Sequence, residues 1–421
     1  MFSQFASFRF PTFNFRSSNA PKIDIPSVPI YDVETSVERR ARTLKHLIKA
    51  NHVNYSIIYH NLRFHNHTNH ILGSAYILGA TPEHLNQVYE KESGYHEPWR
   101  DSPGEISKED WRDFLGKREY QRAFVDFFED ELVQEGYDYD RLLEDYLLKG
   151  DEPLINGLIG RLGHPLIHLG YAYELRSQTI GIEALALGAC FYNSLHKYLD
   201  DPSYTKPSSY SSKDLLEILQ KIQDDLRFDK LFNEPTAGNI DELLEKREAA
   251  VLDHWNAWDI SDPKKQFEDS QKVAVSLLVG TQTEDSKYDF FLVHLLTTSH
   301  AVRILLPLLP PKFHIPLVRQ WWFFTVLVYI TQLRPTIKLD RIEKYDLKGR
   351  DWKFVEHKAL SSKWAFDAHY VKALRSMKEA AITWGDDGQF YLKASVKFAD
   401  TFTNWAGFGL MGNDEAYGHS V

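Results

Sequence analysis

From about Val37 onward, apolar residues recur at intervals of three and four, and they almost never alternate with polar ones. That spacing lines them up along one stripe of an α-helix, whereas a strand would need a period of two. Phe124, Phe127, Phe128 and Leu132 show the pattern plainly. It predicts helices over about 37–51, 55–79, 139–148, 182–198, 215–226, 241–258, 265–279, 288–306, 315–333 and 365–383. Another helix opens at His164-Pro165, since proline suits a first helical turn. No internal repeat or domain-sized linker interrupts the series. The expected architecture is all-α: a single large helical domain over 35–421 with a histidine-rich metal site in its core. An irregular N-terminal arm over 1–34 precedes it, where Pro11, Pro21, Pro26 and Pro29 discourage helix.

Composition narrows the function classes. Hydrophobic residues make up 43% and aromatics 14% of 421 residues, enough for a large core. A net charge of −10 gives no reason to expect nucleic acid or an anionic membrane as partner. Cys190 is the single cysteine, so an intrachain disulfide is excluded and thiolate clusters are disfavoured. The most apolar run, Trp321 to Ile330, is about half the ~20 residues of a membrane span. Residues 1–23 carry Arg9, Arg16 and Lys22 without an acid and loosely resemble a transit peptide. The favoured expectation is an arm packed on the domain of a cytoplasmic enzyme; a mitochondrial location is the alternative.

The chemistry-bearing residues are histidines in four apolar, helix-like segments. They are His65, His67 and His70; His164 and His168; His300; and His369, followed by Lys372. Histidine is the commonest nitrogen ligand of transition metals. His67 and His70 share a helical face at i, i+3, and His164 and His168 share one at i, i+4. His65 lies two residues from His67 and should point elsewhere. His300 follows a strongly apolar run, so it is expected to be buried and to need partners. Thr297 is one turn before it and is placed to support the site. His294 falls six residues before His300, off that face. Lys372 is i+3 from His369; it is either a solvated lysine or a buried, deprotonated amine.

Other motifs weaken rival classes. Gly407-Phe408-Gly409-Leu410-Met411-Gly412 fits G-x-G-x-x-G, but nine residues after it cannot supply the rest of a ~30-residue βαβ unit. No G-x-S-x-G, phosphate-binding loop or H-E-x-x-H is present.

Four blocks together resemble the questin oxidase family. They are Phe64-His65-Asn66-His67 through His70 with Leu78-Gly79-Ala80-Thr81; Gly163-His164-Pro165-Leu166-Ile167-His168 through Glu174; His300-Ala301-Val302-Arg303; and Asp367-Ala368-His369-Tyr370-Val371-Lys372-Ala373. The resemblance covers most of 35–400 and omits the N-terminal arm. It implies a fungal oxygenase that opens a ring of an anthraquinone in Baeyer–Villiger fashion. It also implies a non-heme Fe(II) held by histidines and a carboxylated lysine, without flavin, and with room for NADPH or another external reductant. Lys372 matches that lysine, and Thr297 or Thr298 would steady its carbamate. The expected ligands are drawn from His67, His70, His164, His168, His300, His369 and Lys372, more than one ion needs. The expected partners are a small hydrophobic aromatic substrate and molecular oxygen. Two readings without an oxygenase stay open: a zinc or manganese hydrolase or lyase on the same scaffold, and a non-catalytic binder of aromatics.

Overall fold

The structure is a computed structural model that describes residues 20–409. The basic segment before residue 20 and the end of the glycine motif, from Leu410, lie outside the described residues. The chain is all-α. Among the described residues, strand pairing is confined to two-residue pieces: Ile58–Tyr59 antiparallel to Phe64–His65, and Tyr288–Asp289 parallel to Trp405–Ala406. No described helix is long and apolar enough to cross a membrane.

Helix Phe290–Leu305 is buried along its whole length, as expected of a helix that is apolar all round. Four helices close a ring: Thr68–Ile77 packs on Gly160–Leu175, which packs on Phe290–Leu305, which packs on Ala368–Trp384, which returns to Thr68–Ile77. Helices Gln178–Cys190, Pro263–Gly280 and His314–Thr331 pack around this ring. Two glycines bring Gly160–Leu175 close to Phe290–Leu305. A methyl on Gly170 would stand 3.1 Å from Ala301 Cβ, and one on Gly163 would overlap Thr298 Cγ2.

Residues 20–34 carry no helix but are strapped to the domain. Ile23, Ile25, Val28 and Val33 are buried, and the Tyr31 and Val33 amides donate to the carbonyls of Glu174 and Leu175. The helix expected over 55–79 is corrected. It begins only at Thr68, and a turn with positive φ at His60, Asn61 and Leu62 links the two short strands before it. Asn66 ends that extended segment by accepting the Thr68 amide and donating to Asn51.

Candidate metal centre

Each helix of the ring brings one imidazole to a common point. His67, His164, His294 and His369 place one ring nitrogen each within 4.8 Å of all the others. Local structure fixes each one. His67 precedes the first residue of its helix, and its Nδ1 lies 2.7 Å from the His65 carbonyl. His164 follows three residues in left-handed conformation, Arg161, Leu162 and Gly163, and its Nδ1 lies 2.6 Å from the Arg161 carbonyl. His294 Nδ1 lies 2.8 Å from the Phe290 carbonyl one turn earlier. His369 is the second residue of a helix capped by Asp367, whose carboxylate accepts the His369 and Tyr370 amides and the Trp405 indole N–H.

Those carbonyl contacts settle the tautomers. A carbonyl only accepts, so Nδ1 of His67, His164 and His294 carries the hydrogen and Nε2 offers a lone pair. All three rings are held neutral: burial first, then the charge of Lys372, push His67 well below the ordinary histidine range and His294 down to about 3. Burial and the neighbouring His65 and His294 do the same for His164. His67, His164 and His369 also sit at positive helix ends, which disfavour imidazolium. Yet His67 Nε2 faces His164 Nε2 at 2.9 Å, and His294 Nε2 faces His369 Nε2 at 3.2 Å. Two bare lone pairs, as on His67 and His164, repel each other and cannot form a hydrogen bond. Imidazole nitrogens ~2.1 Å from a shared ion stand roughly 3.0–3.4 Å apart. The residues therefore fit a transition metal.

Lys372 is 1% exposed, and its Nζ has no hydrogen-bond partner. Burial, only partly opposed by Asp367 and Glu92, brings its ammonium down to about 7. An amine near neutrality can add carbon dioxide.

His70 and His168 stand behind the four. His70 Nε2 meets His168 Nδ1 at 2.9 Å, and His168 Nε2 meets Glu183 Oε2 at 2.9 Å. Glu183 also accepts from Asn69 at 2.7 Å and holds His52 Nδ1 at 2.7 Å; His52 Nε2 reaches Glu129 at 3.0 Å. Burial alone would raise Glu183, but the hydrogen bonds with His168 and His52 outweigh it and hold the carboxyl near 2. This chain locks the backing rings in place.

Two expectations are corrected on helix Phe290–Leu305. His300 lies away from the cluster; its Nε2 is 2.9 Å from Arg375 Nη2, in a buried network where Arg375 pairs with Glu174. His294, set aside in the sequence, takes the place. Six residues along a helix rotate a side chain by about a third of a turn, so only one of the two can face the centre. Buried Arg303, one turn beyond His300, was the available signal, because a cationic face is a poor place for a metal. Thr297 points its hydroxyl at the Val293 and His294 carbonyls and lines a small void with His300 and Arg375. His65, set aside on facing, stacks on His164 with ring centroids 3.7 Å apart. It stands on a strand, where residues two apart share a face.

A cavity of about 510 Å³ opens onto this centre. His65, His67, His164 and His369 form its inner wall, with Phe64, Phe191, Phe290, Phe291, Phe324 and Tyr192 around it. Its size and aromatic lining suit a flat polycyclic ligand.

Residues 64–377 match the family described as Questin oxidase-like. Oxidoreductase AflY of Aspergillus parasiticus is 32% identical over 36% of this chain, a match spanning only 32% of that protein. A Baeyer–Villiger oxidase of Pestalotiopsis microspora is 24% identical, over 84% of this chain and 82% of its own length. A questin oxidase of Aspergillus terreus is 22% identical over 79% of each chain.

Proposed function

The chain belongs to the questin oxidase-like family, and on that premise we propose that it is a non-heme iron oxygenase opening one ring of an anthraquinone-type polyketide. Relatives named questin oxidase and Baeyer–Villiger oxidase make it an oxidoreductase. The observation that carries the reading is the convergence of four imidazoles, three with Nε2 bared by a backbone carbonyl at Nδ1.

His67, His164, His294 and His369 would hold the metal, and Lys372, carboxylated on Nζ, would add an oxygen. When bound, iron(II) supplies the one-electron chemistry that lets dioxygen react with an electron-rich ring. The chain does the rest. The Nδ1–H bonds orient the rings before any ligand arrives, so no reorganisation is required at the moment of reaction. The phenylalanines of the cavity hold the substrate plane and exclude water. A hydroquinone or hydroxyanthrone brings its own electrons, whereas a quinone needs an external reductant such as NADPH.

The test is oxygen uptake. Purified protein reloaded with Fe(II) should consume oxygen with a reduced hydroxyanthraquinone and place isotope from labelled dioxygen in a ring-opened product. Turnover at an unchanged rate in anaerobic buffer would refute the oxygenase and favour a hydrolytic zinc or manganese enzyme on the same ligands.

A further inference from the structure

Three arginines, Arg63, Arg118 and Arg161, line the same cavity as the histidines. None of them forms an ion pair with an acid among the described residues. They crowd one another at the cavity mouth, where Arg63 and Arg161 are exposed and Arg118 is half-buried: beyond partial desolvation, the charges of Arg118 and Arg63 hold the Arg161 guanidinium below its ordinary value. Two carboxylates line the cavity as well. Asp367 is taken up by the His369 and Tyr370 amides and the Trp405 indole, and Asp241 acts on Arg161 only through space. A cluster of three cations at the mouth of an aromatic cavity, in a chain of net charge −10, is a local field that attracts an anionic ligand.

The backbone is strained where two of the arginines stand. Arg161 has φ 46° and is followed by Leu162 at 62°; Arg63 follows His60, Asn61 and Leu62 at 54°, 56° and 60°. Left-handed conformation costs a non-glycine residue roughly 1–2 kcal/mol. Such strain gathers at sites where position matters. The third arginine is steadied differently: Arg118 lies over the Phe191 ring, 5.3 Å from its centroid, and donates to the Leu62 carbonyl.

We propose that Arg63, Arg118 and Arg161 form a carboxylate clamp at the cavity, so that the substrate is a polycyclic aromatic acid held with its ring system toward the histidines. The inference rests on the aromatic-substrate reading above and names the substrate class. A guanidinium fork matches a carboxylate in two parallel bonds, and its flat face also stacks on an aromatic plane. One clamp therefore fixes both the position and the orientation of the ring.

The experiment compares anthraquinone-2-carboxylate with its neutral carboxamide, by calorimetry and tryptophan quenching on the full chain. Binding is read without turnover, so the result does not depend on metal loading. The wild type should bind the carboxylate at least tenfold more tightly, with the preference shrinking as salt rises. In the Arg118→Gln/Arg161→Gln double variant the preference should fall below threefold, through weaker carboxylate binding alone. Circular dichroism and the melting temperature certify the fold of that variant, and Arg63→Gln gives an independent second reading on an exposed side chain. Equal affinity for both ligands in the wild type, or a preference untouched by the substitutions, overturns the clamp and leaves the aromatic reading standing. Binding of neither ligand overturns both.

Discussion

His294 and His300 carry the sharpest claim at the level of single residues. His294 contributes a bare Nε2 to the four-ring convergence, whereas His300 satisfies Arg375. His294→Ala should lose bound metal and at least 100-fold in activity while remaining folded. His300→Ala should keep the metal but unfold more easily, by about 1–3 kcal/mol, because a buried guanidinium loses a partner. Metal analysis and thermal melts on both variants check the pair, and the opposite assignment would restore His300 to the site. Lys372 gives a second expectation. With a buried amine near neutrality and no partner, Lys372→Ala should fold normally and lose most activity. Bicarbonate should speed reconstitution of the wild type, and acetate should partly rescue the alanine variant by replacing the missing oxygen. A lysine role in packing alone would show neither response.

Among the elements, helix Gly160–Leu175 depends on one backbone position. Gly163 has φ 71°, directly before His164, and any side chain there overlaps Thr298. Gly163→Ala should cost about 2–4 kcal/mol, from a left-handed alanine plus overpacking against Phe290–Leu305. It should also weaken metal binding, since His164 is aimed by this turn; denaturant melts and metal titration read the two effects separately. A second element-level expectation concerns helix Arg39–Asn54, tied to Gln178–Cys190 through His52 and Glu183. Burial alone would lower His52, but Glu129 and Glu183 outweigh it and raise it to about 9. A raised histidine stabilises fully below its unfolded value of 6.5, and that contribution is lost as pH climbs through 9. Glu183, depressed to about 2, works in the other direction, losing its contribution as pH falls below 4.5. Stability should therefore decline between pH 6.5 and 9, by roughly 3 kcal/mol with a matching fall in melting temperature, and His52→Gln should flatten that limb. An equal decline in the variant would place its cause elsewhere.

Over the whole molecule, period-based reading recovered the helices that bury a continuous stripe. Phe290–Leu305, His314–Thr331 and Ala368–Trp384 fall within a few residues of expectation. It missed helices Pro82–Ser93, Trp352–Ser361 and Phe390–Thr401, and it ran a helix through residues 55–67, where strands and left-handed turns stand instead. Apolar spacing there resembles a helix, and what decides the matter is non-local: Gln121 accepts the Ile58 amide and donates to the Ile58 carbonyl. The site was legible to the same degree. His67, His164 and His369 stood out because their segments are dense in histidine or belong to the four blocks that resemble the family. His294 was hidden, because helical spacing says which residues share a face but not which face meets the other three helices.

We propose that four imidazoles from four helices hold one metal ion. Metal content of the purified protein, measured by mass spectrometry before and after reconstitution with Fe(II), tests it most directly. Close to one equivalent of iron per chain is expected, lost when any of His67, His164, His294 or His369 is replaced by alanine. Less than about a tenth of an equivalent after reconstitution, or full loading in those variants, would contradict it.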